Sequence, residues 1–220
     1  VASGRLEDNP IRADIEEGAR MLGVHFILNV VLDLGGHVIG AVAGDVIAAH
    51  RRGVEMAARR CEIPIGEEAD IVVVSAGGYP LDKDLYQAET ALDRAQYAVR
   101  EGGTIILVTE CEEGFGHPLL EAWLREAQVP EDTVGRIQQG YVLGGHKAAA
   151  IARVLRKANV YLVSALPEPS VQACHLTPFQ DLAAALEGAL RVMGSAASVT
   201  VLPHGGSTLP VLSRSSARSV

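Results

Sequence analysis

The chain has 220 residues, 27 acidic against 19 basic side chains, a formal net charge of -8 and 48% hydrophobic residues. That is enough apolar material for one large core or two modest ones, and an acidic balance without any Lys/Arg-rich run argues against nucleic-acid binding. The longest apolar stretches break well before the roughly 18 residues of a membrane span, so no membrane partner is expected, and the dispersed Cys61, Cys111 and Cys174 fit reduced thiols in a cytoplasmic protein rather than a disulfide framework.

In chain order, Asn9-Pro10 marks a break before a helix from about Arg12 to Leu22, with Ile15, Ala19 and Leu22 as its apolar stripe and Gly23 as its stop. Phe26 to Leu32 and Val38 to Ala43 read as two strands of a hairpin around Gly35-Gly36. An alanine-rich helix follows over Asp45 to Arg60, with Asp45 as its cap. The character changes at CEIPIGEE, which places a domain boundary near Ile65. The first 65 residues would bury little alone and look like the end of a larger domain, or an extra layer on the next one.

The next stretch is the most ordered. Ile71 to Val74 is an unbroken β-branched run stopped by Gly77-Gly78. Apolar positions then recur at helical spacing through Leu85, Ala88, Leu92, Ala95 and Val99, predicting a helix over Asp82 to Arg100 that Gly102-Gly103 ends. Thr104 to Val108 is a second apolar run, so the unit reads as βαβ with a parallel sheet buried on both faces. Short helices follow over Pro118 to Glu126 and Glu131 to Gln139. Tyr141 to Leu143 leads through Gly144-Gly145 into a helix over His146 to Lys157, then a strand over Val160 to Ser164, a helix over Phe179 to Met193 and a strand over Ser198 to Leu202. The expected architecture is α/β, a Rossmann-like three-layer domain with a mostly parallel sheet over residues 66–212, preceded by a partial α+β segment over 1–65 and followed by a flexible tail over 213–220.

Ligands of such sheets bind at the loops following the strands. Neither GxGxxG nor GxxxxGK[ST] occurs there, which disfavours an ordinary NAD or ATP site, while Gly77 and Gly78 still permit close approach of a ligand as readily as a plain turn. Glu110 and Glu112 would share a face if their strand continued, as a proton-sharing pair, a cation site or a solvated edge. His117 follows GFG, and His146 with Lys147 opens a helix after two glycines; these cations can hold an anion or only stabilise backbone ends. Tyr86, Thr90, Asp93 and Tyr97 form a polar stripe with Gln87 beside it, at a helix start whose amides would favour an anion, unless the stripe is simply an outer face.

The segments GGYPLDKDLYQAETAL, GGTIILVTECEEGFG, LGGHKAAAIAR and VLPHGGSTLP, in this order, resemble the nickel-dependent lactate racemase family, and GRLEDNPIRADIEEGARMLGVHFILNVVLD with AGDVIAAHRRG resembles the last part of its N-terminal domain. The resemblance implies a two-domain enzyme that racemises or epimerises a 2-hydroxy acid by reversible hydride transfer to a nickel pincer pyridinium mononucleotide, with two histidines of the N-terminal domain moving the hydroxyl proton. It implies that Tyr86 and Gln87 lie beside substrate, and that Thr90 stands where the family's prototype has a substrate-holding lysine, which favours a larger substrate such as a sugar acid over lactate. Gly77, Gly78, Glu112, His117, His146 and Lys147 are candidate cleft residues, and no metal ligand is assigned in this chain. The lysine that carries the cofactor, the proton-moving histidines and the nickel ligand would lie upstream of Val1, so the missing N-terminal domain is the expected partner and the cofactor is expected to be absent from the isolated chain, which is expected to be inactive alone. A noncatalytic metabolite-binding or partner domain is the alternative, and a metal-dependent hydrolase using Glu110 or Glu112 with His117 a further one.

Overall fold

The computed structural model describes residues 6–33 and 35–213, which divide into two compact units, the first running up to Ile63 and the second starting at Pro64. The tail expected over 213–220 lies, from residue 214 onward, outside the described residues.

In the first unit, α1 (Pro10–Met21) starts where the Asn9 side chain accepts from the Arg12 amide and Pro10 supplies a pre-set φ. Strands β1 (Ile27–Leu32) and β2 (Val38–Gly44) form an antiparallel hairpin, and the Asp33 carboxylate gathers the Gly35 and His37 amides at its turn. Helix α2 (Val46–Cys61) is capped by Asp45, which accepts from the Ile47 and Ala48 amides. It packs on one face of the hairpin, where a side chain at Gly40 would meet Met56 at 2.2 Å.

The second unit is built on a five-stranded sheet, in the order β7-β6-β5-β4-β8, with every neighbouring pair parallel. Its strands are β4 (Ala69–Ser75), β5 (Val99–Val108), β6 (Asn159–Val163), β7 (Thr177–Phe179) and β8 (Val199–Leu202). Alternation divides β4, β5 and β6 between two buried faces. Val72, Val74, Ile105, Leu107, Val160 and Leu162 face one layer, with residues of α3 (Leu85–Ala95), α4 (Pro118–Glu126), α6 (Gly145–Lys157) and α7 (Glu168–Ala173). Ile71, Val73, Ile106 and Tyr161 face the other, covered by α8 (Leu182–Met193). Helix α5 (Glu131–Gln139) lies on α6. Two short strands, β3 (Glu62–Ile65) and β9 (Leu209–Leu212), pair outside the sheet.

The layers and parallel sheet match the expected class. The details differ where glycine and proline have more than one use. Helix α3 ends at Ala95, and Gly102-Gly103 lies inside β5 as a bulge, not at a helix end. A Cβ at Gly103 would meet the Asp70 carbonyl at 2.7 Å, and the register with β4 slips there, so glycine lets two backbones come close. Strand β7 adds a fifth member that its short TPF sequence hid.

Helices α3 to α7 connect strands laid down in one direction from β4, and α8 then carries the chain back to β8 on the other side of β4. The carboxyl end of β4 therefore sits where the winding reverses, the position at which open α/β sheets form a crevice. The turn after β8 closes tightly onto it: a Cβ at Gly205 would meet Val74 at 2.3 Å, Ala91 at 2.7 Å and the Ser75 carbonyl at 2.9 Å.

Candidate active site

The loops after β4 and β5 are laced together. The Asp82 carbonyl accepts from the Cys111 amide at 2.7 Å and the Thr109 hydroxyl at 3.1 Å, and the Lys83 carbonyl accepts from the Glu113 amide at 2.8 Å. The first amides of α3 are also consumed. Leu85 and Tyr86 donate to the Gly114 and Phe115 carbonyls at 3.1 and 3.2 Å, and Gln87 donates to the buried Asp84 carboxylate at 2.7 Å. Gly116 lies directly on that carboxylate, since a Cβ there would come within 2.4 Å of it. The expected anion site at the start of α3 is therefore not open; its donors position the loop instead.

What α3 does present is Tyr86. Its ring stacks on His117 with centroids 5.8 Å apart, meets His146 edge-on at 6.0 Å and has the Lys147 ammonium 5.4 Å from its centre. His117 is held because its Nδ1 accepts from the Leu119 amide at 3.2 Å and caps α4, an arrangement that leaves the proton of the neutral ring on Nε2. Two glycines then allow α6 to close on this pair. Gly144, at φ 87°, would place a Cβ 2.1 Å from the His117 ring, and Gly145 would place one 2.7 Å from the Trp123 ring. His146 packs on Tyr141 at 5.4 Å, and its buried Nδ1 has no hydrogen-bond partner among the described residues. Burial, then the neighbouring Lys147, lowers the pKa of His146 below its usual value.

Beneath Tyr86 lies an ion pair. Lys147 Nζ donates to Glu89 Oε2 in a very short contact and to Thr90 Oγ1 at 3.3 Å, with Glu89 almost wholly enclosed. Burial pushes the Glu89 pKa up, and the ammonium opposes it. Glu89 was not singled out in the sequence. Its signal is its position, since it stands between Leu85 and Leu92 on the apolar face of α3, where a charge requires a partner.

Of the candidate residues, Tyr86, Thr90, His117, His146 and Lys147 come together, and Gln87 is exposed beside Tyr86. Gly77 and Gly78 take positive φ in a turn closed by the Leu81 amide on the Gly78 carbonyl. Glu112 does not pair with Glu110. Strand β5 ends at Val108 and Cys111 has φ 56°, so the alternation that would have aligned them is broken, and Glu112 is exposed with no hydrogen bond or ion pair among the described residues. Among those residues no three His, Cys, Asp or Glu side chains gather as a metal site.

With this geometry, the lactate racemase C-terminal domain family matches residues 65–209. The chain belongs to that family. It is 32% identical over 212 residues to the lactate racemase of Thermoanaerobacterium thermosaccharolyticum and 33% identical over 208 residues to that of Lactiplantibacillus plantarum. These alignments cover 94% and 92% of the chain but 50% and 49% of the two racemases, so the chain spans about half the length of the curated relatives it matches. The solved structure of the Thermoanaerobacterium lactate racemase apoprotein superposes with a TM-score of 0.89 at 31% identity, over 94% of this chain and 50% of that one. A Thermotoga maritima crystal structure superposes with a TM-score of 0.67 at 17% identity, over 94% of this chain and 54% of that one, a likeness of fold alone.

Proposed function

We propose that this lactate racemase C-terminal domain forms the substrate-side wall of a 2-hydroxy-acid racemase or epimerase, and that residues 1–65 are the end of a preceding domain that carries the remaining chemistry. The observation that carries the reading is the Tyr86 assembly, held by His117, His146 and Lys147 at the reversal point of a sheet that superposes on a lactate racemase. The Tyr86 hydroxyl and the Gln87 side-chain amide make no hydrogen bond with other described residues. Together with the Thr90 hydroxyl they offer donors and acceptors for the hydroxyl and carboxylate of such an acid. The uncharged Thr90, where the resemblance implies a lysine, fits a bulkier acid, such as a sugar acid, better than lactate.

A nickel pincer pyridinium mononucleotide, which the resemblance implies, would supply the hydride acceptor that no side chain provides. Following the resemblance, attachment and metal ligation are assigned to the preceding domain and not to this chain. On this reading the isolated 220-residue chain neither turns over a 2-hydroxy acid nor holds nickel stoichiometrically.

The test is the intact mass and nickel content of the longest natural polypeptide containing this sequence, co-produced with the enzymes that make the cofactor and assayed against lactate and sugar acids. An adduct of cofactor size with interconversion of isomers is expected. An unmodified, nickel-free protein that binds 2-hydroxy acids without turnover would replace this reading with that of a noncatalytic metabolite-binding domain. Turnover by the isolated chain would overturn the division between domains.

A further inference from the structure

The buried pair beneath Tyr86 has more capacity than its structural contacts use. An ammonium has three donors, and Lys147 commits one to Glu89 and one to Thr90. Its side chain is 18% exposed while that of Glu89 is 5% exposed, so the cation reaches the surface and its counter-charge does not. Thr90 accepts from the lysine, which leaves its own hydroxyl proton free to donate. The Gln87 amide and Tyr86 hydroxyl stand on the same turn of α3. A buried ion pair often stabilises a fold no more than an apolar pair of the same volume does. This one interrupts an interface otherwise lined by Ala88, Leu92, Ala148 and Ile151, all at most 1% exposed. One remaining N–H of a cation, two hydroxyls and an amide form a set of donors suited to an anionic oxygen ligand.

We propose that Lys147, delivered from α6 and seated against Thr90, is the cation that grips the substrate carboxylate, with Glu89 as its positioning residue. The inference rests on the 2-hydroxy-acid reading above. It explains how an uncharged Thr90 serves a site for acids: the charge arrives from the facing helix and the threonine hydroxyl helps to orient it. Glu89 fixes the ammonium over the Tyr86 ring and balances its charge while no ligand is bound.

The experiment compares acids with their neutral amides. The 220-residue chain is titrated with lactate and lactamide, and with gluconate and gluconamide, and binding is followed through the Gln87 side-chain amide and the Lys147 ammonium by NMR. At least one acid is expected to bind about tenfold tighter than its amide. Lys147→Met alone strands a buried carboxylate and can fail to fold, so the deciding variant is the double change Glu89→Gln/Lys147→Met, whose fold is checked by its thermal transition. It is expected to bind acid and amide alike, while Lys147→Arg keeps part of the preference. A full acid preference retained in the folded double variant overturns the role of Lys147 and leaves the 2-hydroxy-acid reading standing. Absence of binding by any of the four ligands to the unaltered chain overturns both.

Discussion

The two units differ in how completely each buries the apolar pattern it carries. In the second, Ile71, Val72, Val74, Ile105, Ile106 and Leu107 are sealed from solvent between helices on both faces of the sheet. In the first, Val42 and Ala49 are the only hydrophobic side chains fully buried among the described residues, while Leu28, Val30 and Leu32 leave one face of the hairpin open at 67%, 50% and 51% exposure. Cross-strand neighbours Ala41 and Ala43 extend that apolar face. Apolar residues on both faces of a strand indicate a layer covered twice, and α2 covers one side. The difference supports assigning residues 1–65 to a larger domain, whereas the sheet of the second unit closes its own core.

Truncation should expose this contrast most strongly. Ile106→Ala removes a wholly buried side chain between β4, β6 and α8, and is expected to cost about 2–5 kcal/mol in urea unfolding of the second unit. Leu28→Ala on the open hairpin face is expected to change stability by less than about 0.5 kcal/mol. Equal costs would mean that the hairpin face is covered in solution.

A smaller effect is expected at Gly144, where local conformation and the site meet. Gly144→Ala places a methyl group against the His117 ring at a positive φ, and about 1–3 kcal/mol of destabilisation is expected. The site should respond more than the global fold, because His117 is the stacking partner of Tyr86 and the cap of α4. Ring signals of Tyr86 and His117 in NMR spectra should shift even where the thermal midpoint moves little. Unchanged ring signals would show that α6 can retreat without disturbing Tyr86.

These cases separate what the sequence makes legible from what only the folded chain reveals. The β-branched runs at Ile71–Val74 and Thr104–Val108 could be read as buried strands because period and composition agree over short range, and the cap at Asp45 carries its own chemistry. Gly102-Gly103 was ambiguous, since the same dipeptide ends helices and relieves close backbones, and the deciding neighbour, the Asp70 carbonyl, is about 30 residues away in the chain. For the candidate site, Tyr86 and Gln87 rest on motif likeness alone. The partnership of Lys147 with Glu89 spans 58 residues, and only the packing of α6 on α3 brings the two together. The occupied amides at the start of α3 depend likewise on carbonyls from the loop after β5.

Acid titration offers the finest comparison, because the two units should soften in different pH windows. In the second, the Asp70 carboxylate accepts from Arg100 at 2.6 Å and from the Ser198 amide and hydroxyl at 2.8 Å each, joining the starts of β4, β5 and β8. The Arg100 hydrogen bond, then those of Ser198, lowers its pKa from 3.8 to about 2. Its contribution is therefore complete above 3.8 and is lost as the pH falls toward about 2. In the first unit, burial on α2 lowers the pKa of His50 below 6.5, with Arg12 adding to the effect and Glu16 opposing it. Below 6.5 the unfolded chain takes up a proton that the folded unit resists, so this unit begins to lose stability two or more pH units earlier than the clamp at Asp70. Amide exchange followed from pH 7.5 to 2.5 should show α2 losing protection before β4, β5 and β8 do. His50→Gln should remove the early step and Asp70→Asn the late one, the latter isolating Asp70 from Glu89, whose raised pKa acts in the opposite direction. Loss of protection in both units over a single window would mean that they unfold as one cooperative body, and that the open face of the hairpin is not a sign of independence.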